Sequence, residues 1–250
     1  MYLFEPARTQ LDLNFNLFGI HVRVHPMFWV VTAILGSNQG EARYVLLWVA
    51  VAFVSILIHE MGHVLMGRIL GSDGHIVLYG FGGLAIGSSD LTRRWQRNLV
   101  YLAGPFAQFL LLGLGTLGAI VYVAAKGAEV PIALEILYFQ FFFVNFYWPI
   151  LNLLPIWPLD GGRITRETFE WLMPETDTAT SLVVSMIVAG FFAVSSLAAA
   201  SGHPIIPFLR GSMYMGLFFA LFAVENFQEW QMVRYRSRHP WDNEPNAWRD

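Results

Sequence analysis

Apolar residues fall along this chain in blocks of about 20, the length an α-helix needs to cross a bilayer. Four blocks reach that length clearly: Tyr44–Leu70, Asn98–Ala125, Ile132–Leu154 and Ala179–Ala200. Ser212–Phe227 is slightly shorter but very apolar, and Pro26–Gly36, "PMFWVVTAILG", is shorter again. Two stretches change period. Gly19–Pro26 sets Ile20, Val22 and Val24 in alternation with His21, Arg23 and His25, the spacing of a strand. "HIVLYGFGGLAIG", His75–Gly87, is β-branched and aromatic around its glycines and reads as strand, Gly-rich turn and strand. The pattern predicts an all-α polytopic membrane protein with about six transmembrane helices, plus a small β-sheet or re-entrant strand at one membrane face. One domain is expected over residues 1–230, followed by a charged tail, 231–250, that is either interfacial or partly disordered.

Composition agrees with this reading. The chain has 250 residues, 56% hydrophobic and 13% charged, with a mean hydropathy of +0.50. Soluble domains carry roughly a quarter charged residues. Charge placement then orients the spans. With six spans and both ends cytoplasmic, only Arg43, Lys126 and Arg210 of the 15 Lys and Arg residues face the other side, as the positive-inside rule favours. The net charge of −3, without a basic run, argues against nucleic-acid binding. With no cysteine, disulfides and thiolate ligands are excluded, so a metal would need His, Asp or Glu. The first residues, "MYLFEPARTQLDLNFN", lack the basic and apolar regions of a cleavable leader, so insertion is expected to come from internal spans.

Ionisable side chains in the second block sharpen the picture. His59-Glu60-Met61-Gly62-His63 is H-E-x-x-H within a membrane-length helix. The i, i+4 spacing puts both imidazoles on one face, able to bind one Zn²⁺, with Glu60 beside it as general base. Burying such groups in hydrocarbon costs at least a few kcal/mol each, so they are usually functional. The plainer alternative is a hydrogen-bonded histidine pair with a paired glutamate. A catalytic zinc site takes a third protein ligand and keeps one position for water. Among the few acidic residues near the spans, Asp160 stands out, in "NLLPIWPLDGGR". Pro155 and Pro158 unwind the end of that span and Gly161-Gly162 permits a turn that could aim Asp160 sideways; a solvated exit turn is the alternative. From His59 to Arg68 is about 13 Å of helix, which places a metal within reach of the cytoplasmic face.

"HEMGH" in one span and "NLLPIWPLDGG" in a later one resemble the paired signatures of the site-2 proteases, intramembrane zinc metalloproteases. "GIHVRVHP", "GFGG" and "LAGP" (Leu102–Pro105) resemble bacterial members too, so the likeness runs from about residue 19 to 175. The resemblance implies a transmembrane protein substrate, a multi-pass bacterial plasma membrane setting and one zinc ion per chain. It implies that His59, His63 and Asp160 hold the zinc and that Glu60 activates water. It further implies that Asn152 places substrate or its oxyanion, and that Phe81, Gly82 and Gly83 lie in a loop whose edge takes substrate as an added strand. A minimal member without PDZ or CBS modules is expected.

Two other classes compete. A metal transporter would stack further acidic or His residues along the bundle, where the remaining spans offer Glu135 and Glu225. A non-cleaving pseudoprotease would dispense with Glu60, which is present. His21 and His25 are explained as polar strand positions, Arg93, Arg94 and Arg97 as topology anchors, and Gly113, Gly115 and Gly118 as sites of close helix packing. Asn145 fits either a supporting role behind the site or an ordinary interhelical hydrogen bond. Oligomeric state is not encoded in any feature read here.

Overall fold

A computed structural model describes residues 5–37, 40–80, 82–127, 130–173, 177–206 and 213–238. The elements, in chain order, are β1 (Leu13–Leu17), β2 (Ile20–Val24), α1 (Pro26–Leu35), α2 (Ala42–Ile69), β3 (His75–Tyr79), β4 (Gly82–Ile86) and α3 (Arg94–Ala107). A π-helical turn (Gln108–Gly113) leads into α4 (Leu114–Lys126), followed by α5 (Ile132–Asn152), α6 (Asp160–Leu172), α7 (Asp177–Ala200) and α8 (Met213–Arg238). They fall into two compact units, Met1–Asn152 and Leu153–Asp250.

Four helical stretches are long and apolar enough to cross a membrane: Ala42–Ile69, Arg94–Lys126, Ile132–Asn152 and Thr178–Ala200. They coincide with the four long apolar blocks, the second passing through the π turn without a break. α1 is apolar but has 10 residues. α8 runs past Phe227 to Arg238, so the polar stretch from Gln228 is helical that far; Ser212 and residues 239–250 lie outside the described residues.

In the first unit a four-stranded sheet of order β1-β2-β3-β4 lies against α1 and α2. β1 and β2 form a hairpin through Phe18 and Gly19, both at positive φ (49° and 73°), as the twist of a two-residue hairpin turn demands. Arg68, in the last turn of α2, donates Nη2 to the Gly19 carbonyl at 2.7 Å and so ties this turn to the helix. β2 and β3 pair in parallel, Val22 opposite Ile76 and Val24 opposite Leu78, with both α1 and α2 between them in sequence. Ile20, Val22, Val24, Ile76 and Leu78 pack with Phe28 of α1 and with Leu57 and Val64 of α2. The sheet is therefore seated beside the turns of α2 that carry the H-E-x-x-H residues.

The predicted alternation in β2 places Ile20, Val22 and Val24 in this core, and His21 is exposed. Arg23 departs from the expected polar face: it is 3% exposed. Its guanidinium meets Glu5 Oε1 at 2.8 Å and Asp12 Oδ2 at 3.0 Å, and those charge-assisted bonds let it stay buried. His25 is the N-cap of α1, its Nδ1 accepting from the Met27 N–H, with Pro26 at the first helical position. Of the α3–α4 glycines, Gly113 lies against the Asn145 carbonyl, whereas Gly115 and Gly118 face open space and do not mark close packing.

In the second unit α6, α7 and α8 pack around the unwound segment 153–159, where Pro155 and Pro158 cannot continue a helix. The backbone of Trp157 is satisfied from two sides. Its N–H donates to Ser185 Oγ at 3.0 Å, and its carbonyl accepts from Asn226 Nδ2 at 2.7 Å. Asp160 then opens α6 rather than standing on an exit turn. Gly161 and Gly162 are helical and sit on the backbone of Leu153, Leu154, Ile156 and Trp157, where no Cβ would fit.

Candidate metal centre

His59, Glu60 and His63 are all buried in the middle of an apolar helix, at 4%, 6% and 5% exposure. One ligand atom from each lies within 4.8 Å of the others. The i, i+4 spacing brings the two Nε2 atoms to 3.1 Å, with the rings nearly perpendicular at 79°. The other nitrogen of each ring is engaged. His63 Nδ1 lies 2.6 Å from the Val100 carbonyl, an acceptor, so it carries the proton. His59 Nδ1 lies 3.0 Å from Gln108 Oε1. Both contacts leave a lone pair on Nε2, and the two Nε2 atoms stand 3.1 Å apart.

That arrangement fits a metal. Two imidazoles on a tetrahedral zinc at 2.0–2.1 Å stand about 3.3 Å apart, close to the 3.1 Å seen here. Metal-binding histidines commonly donate their second N–H to a carbonyl or amide, as these two do. Glu60 sits against β4: a Cβ on Gly83 would collide with its carboxylate, so glycine alone lets the strand backbone come this close. Gly104 does the same for His63, whose imidazole fills the space that a side chain on α3 would take.

The structure brings Asn152 to this cluster, its Nδ2 3.0 Å from His59 Nε2. Gly82 and Gly83 open β4, which is an edge strand, and Gly83 touches Glu60 while Gly82 has open space around it. Phe81 lies outside the described residues. Asp160 is in the second unit, 7% exposed at the N-terminus of α6, where the helix dipole favours a negative charge. Sequence reasoning passed over Gln108 and touched Gly104 only as part of "LAGP". The signal for Gln108 was present: a glutamine inside an apolar block. Asn145, left open between two roles, accepts from Gln108 Nε2 at 3.2 Å and so stands behind His59.

Comparison with known proteins follows the same line. The sequence profile described as Peptidase family M50 matches residues 112–195, the stretch with Asn152 and Asp160. The provisionally named zinc metalloprotease sll0528 of Synechocystis sp. is 28% identical over 209 residues, 76% of this chain and 53% of that protein. Stage IV sporulation protein FB of Bacillus subtilis is 29% identical over 157 residues, 62% of this chain and 50% of that one. The chain spans about half the length of these curated relatives. A solved structure, the site-2 protease from Methanocaldococcus jannaschii, shares the fold with a TM-score of 0.55 over 87% of this chain and 94% of that one, at 21% identity. Profile, sequence relatives and fold point the same way: the chain is similar in sequence to zinc metalloproteases of peptidase family M50 and shares the fold of a site-2 protease.

Proposed function

We propose that the chain is an intramembrane zinc-dependent endopeptidase that cleaves transmembrane segments of membrane proteins. The observation that carries this is the close approach of the His59 and His63 Nε2 atoms beside the Glu60 carboxylate, inside a 28-residue apolar helix. Zinc relatives and the donor set, two imidazoles with carboxylates and no thiolate, support zinc as the ion. In this reading His59, His63 and Asp160 hold it, Asp160 being assigned on the motif "PLDGG".

Zinc bound there supplies Lewis acidity toward water and toward the scissile carbonyl. Glu60 takes the proton from the attacking water and returns it to the leaving amine. The Asn152 amide, a donor 3.0 Å from His59 Nε2, helps hold the developing oxyanion. A substrate helix must unwind to expose its carbonyls. The free edge of β4 offers replacement hydrogen bonds to an added strand, and Gly83 sets that edge against Glu60. Gly82 belongs to the same edge, and Phe81 is assigned with it on the motif "GFGG" alone. The topology that goes with this is six spans in a bacterial plasma membrane with both termini cytoplasmic, α1 and α8 joining the four long helices.

The test compares cells carrying the wild-type chain with cells carrying Glu60→Gln, profiling new peptide termini inside membrane segments. Termini that vanish in the variant establish proteolysis and name the substrates. An unchanged profile, with both proteins folded and loaded with one metal, favours a protein that binds membrane segments without cutting them.

A further inference from the structure

Gln108 is fully buried, at 0% exposure, and is the first residue of the π-helical turn. An amide in an apolar interior costs a few kcal/mol or more unless its donors and acceptor find partners. Here each partner is different. Nε2 donates to the Val144 carbonyl and to Asn145 Oδ1, both at 3.2 Å, and Oε1 faces His59 Nδ1 at 3.0 Å. The two acceptors on α5 decide which end of the amide meets the histidine, because the reversed amide would set Oε1 against two oxygens. Asn145 is itself oriented by donating Nδ2 to the Phe141 carbonyl at 2.8 Å. At the far end of the π turn Gly113 rests on the Asn145 backbone, so the turn is seated on α5 at both ends. π turns occur mostly as local insertions, frequently at functional sites.

We propose that Gln108 is a positioning residue for the metal centre: held by Asn145 and Val144, it fixes His59 as the Nδ1–H tautomer and directs the Nε2 lone pair to the ion. This rests on reading the His59–His63 pair as metal ligands. Gln108 does not touch the reacting atoms, and its effect passes through His59.

The experiment uses the full chain purified in detergent as wild type, Gln108→Met and Gln108→Glu. Zn²⁺ affinity is read by chelator competition and ligand geometry by the d–d spectrum of the Co²⁺ form. Gln108→Met keeps the volume and removes the acceptor, so Zn²⁺ should bind about 10- to 100-fold more weakly with a shifted Co²⁺ spectrum. Gln108→Glu, protonated between the Val144 and Asn145 oxygens, keeps a donor toward α5 and an acceptor for Nδ1–H, and should restore most of that affinity. Wild-type affinity and spectrum in Gln108→Met overturn the proposal, as does a Glu variant no better than the Met one. A wild-type chain that binds neither ion overturns the metal reading itself, and this inference with it. Imidazole ¹⁵N shifts of the metal-free wild type cover the case in which Gln108→Met fails to fold. The resonance lost in His59→Gln should show Nδ1–H; an Nε2–H tautomer overturns the proposal.

Discussion

The crowding of Gly104 against His63 decides what that position can carry. Gly104→Ala would drive a methyl group into the His63 imidazole, so it should weaken Zn²⁺ binding about tenfold or more, measured by chelator competition. Gly118→Ala, with open space around it, is the matched control and should bind as wild type. Arg23 supports a second prediction. Burial alone pushes the Asp12 carboxyl up, but hydrogen bonds from Thr9 and Arg23 prevail and hold it below its ordinary value of 3.8. A carboxylate lowered by folding adds stability above its unfolded value, and that stability is lost as pH falls through the folded one. Thermal unfolding in detergent should therefore fall off below about pH 4, and Asp12→Asn should flatten that decline. Equal pH profiles for the two proteins would show that the Arg23 contact contributes nothing to stability.

At the level of elements, the clamp on Trp157 holds the segment that precedes Asp160. Asn226→Leu leaves the Trp157 carbonyl without its 2.7 Å donor and should cost about 1–3 kcal/mol, with faster protease nicking within 153–159. Unchanged unfolding and nicking would mean the loop holds itself. The long helices were legible because twenty apolar residues in a row leave few other structures. β2 was legible from its period of two. β1 was not picked out, although Leu13, Phe15 and Leu17 alternate with Asn14 and Asn16. Asparagine disfavours strands, and pairing with β2 is what settles the segment. The tandem Gly161-Gly162 disguised the start of α6, since each costs roughly 1 kcal/mol in a helix interior. Close approach to the Ile156 and Leu153 carbonyls is what selects them. In the candidate site, H-E-x-x-H spacing made His59, Glu60 and His63 readable. Gln108 showed only as a glutamine inside an apolar block and Gly104 only within "LAGP"; their partners lie on other helices, which no local pattern records.

For the molecule as a whole, orientation in the membrane is the quantity to measure. The chain has no cysteine, so single cysteines placed at Ser37, Asp73, Ser89 and Ser201 can be probed one at a time with a membrane-impermeant thiol reagent. Positions 73 and 89 should label from the cytoplasmic side, 37 and 201 from the opposite side; the reverse pattern would sink the proposed orientation. The parallel pairing of β2 with β3 adds a parity rule. Both strands belong to one sheet, so the chain between residues 24 and 75 must cross the bilayer an even number of times. If α2 crosses, the α1 segment has to make the return trip with a helix only about 15 Å long. The sheet is seated beside Leu57 and Val64, partway along α2 rather than beyond its end, so in the proposed six-span topology α1 would set out from a shelf below the membrane surface and would have only the remaining depth to travel.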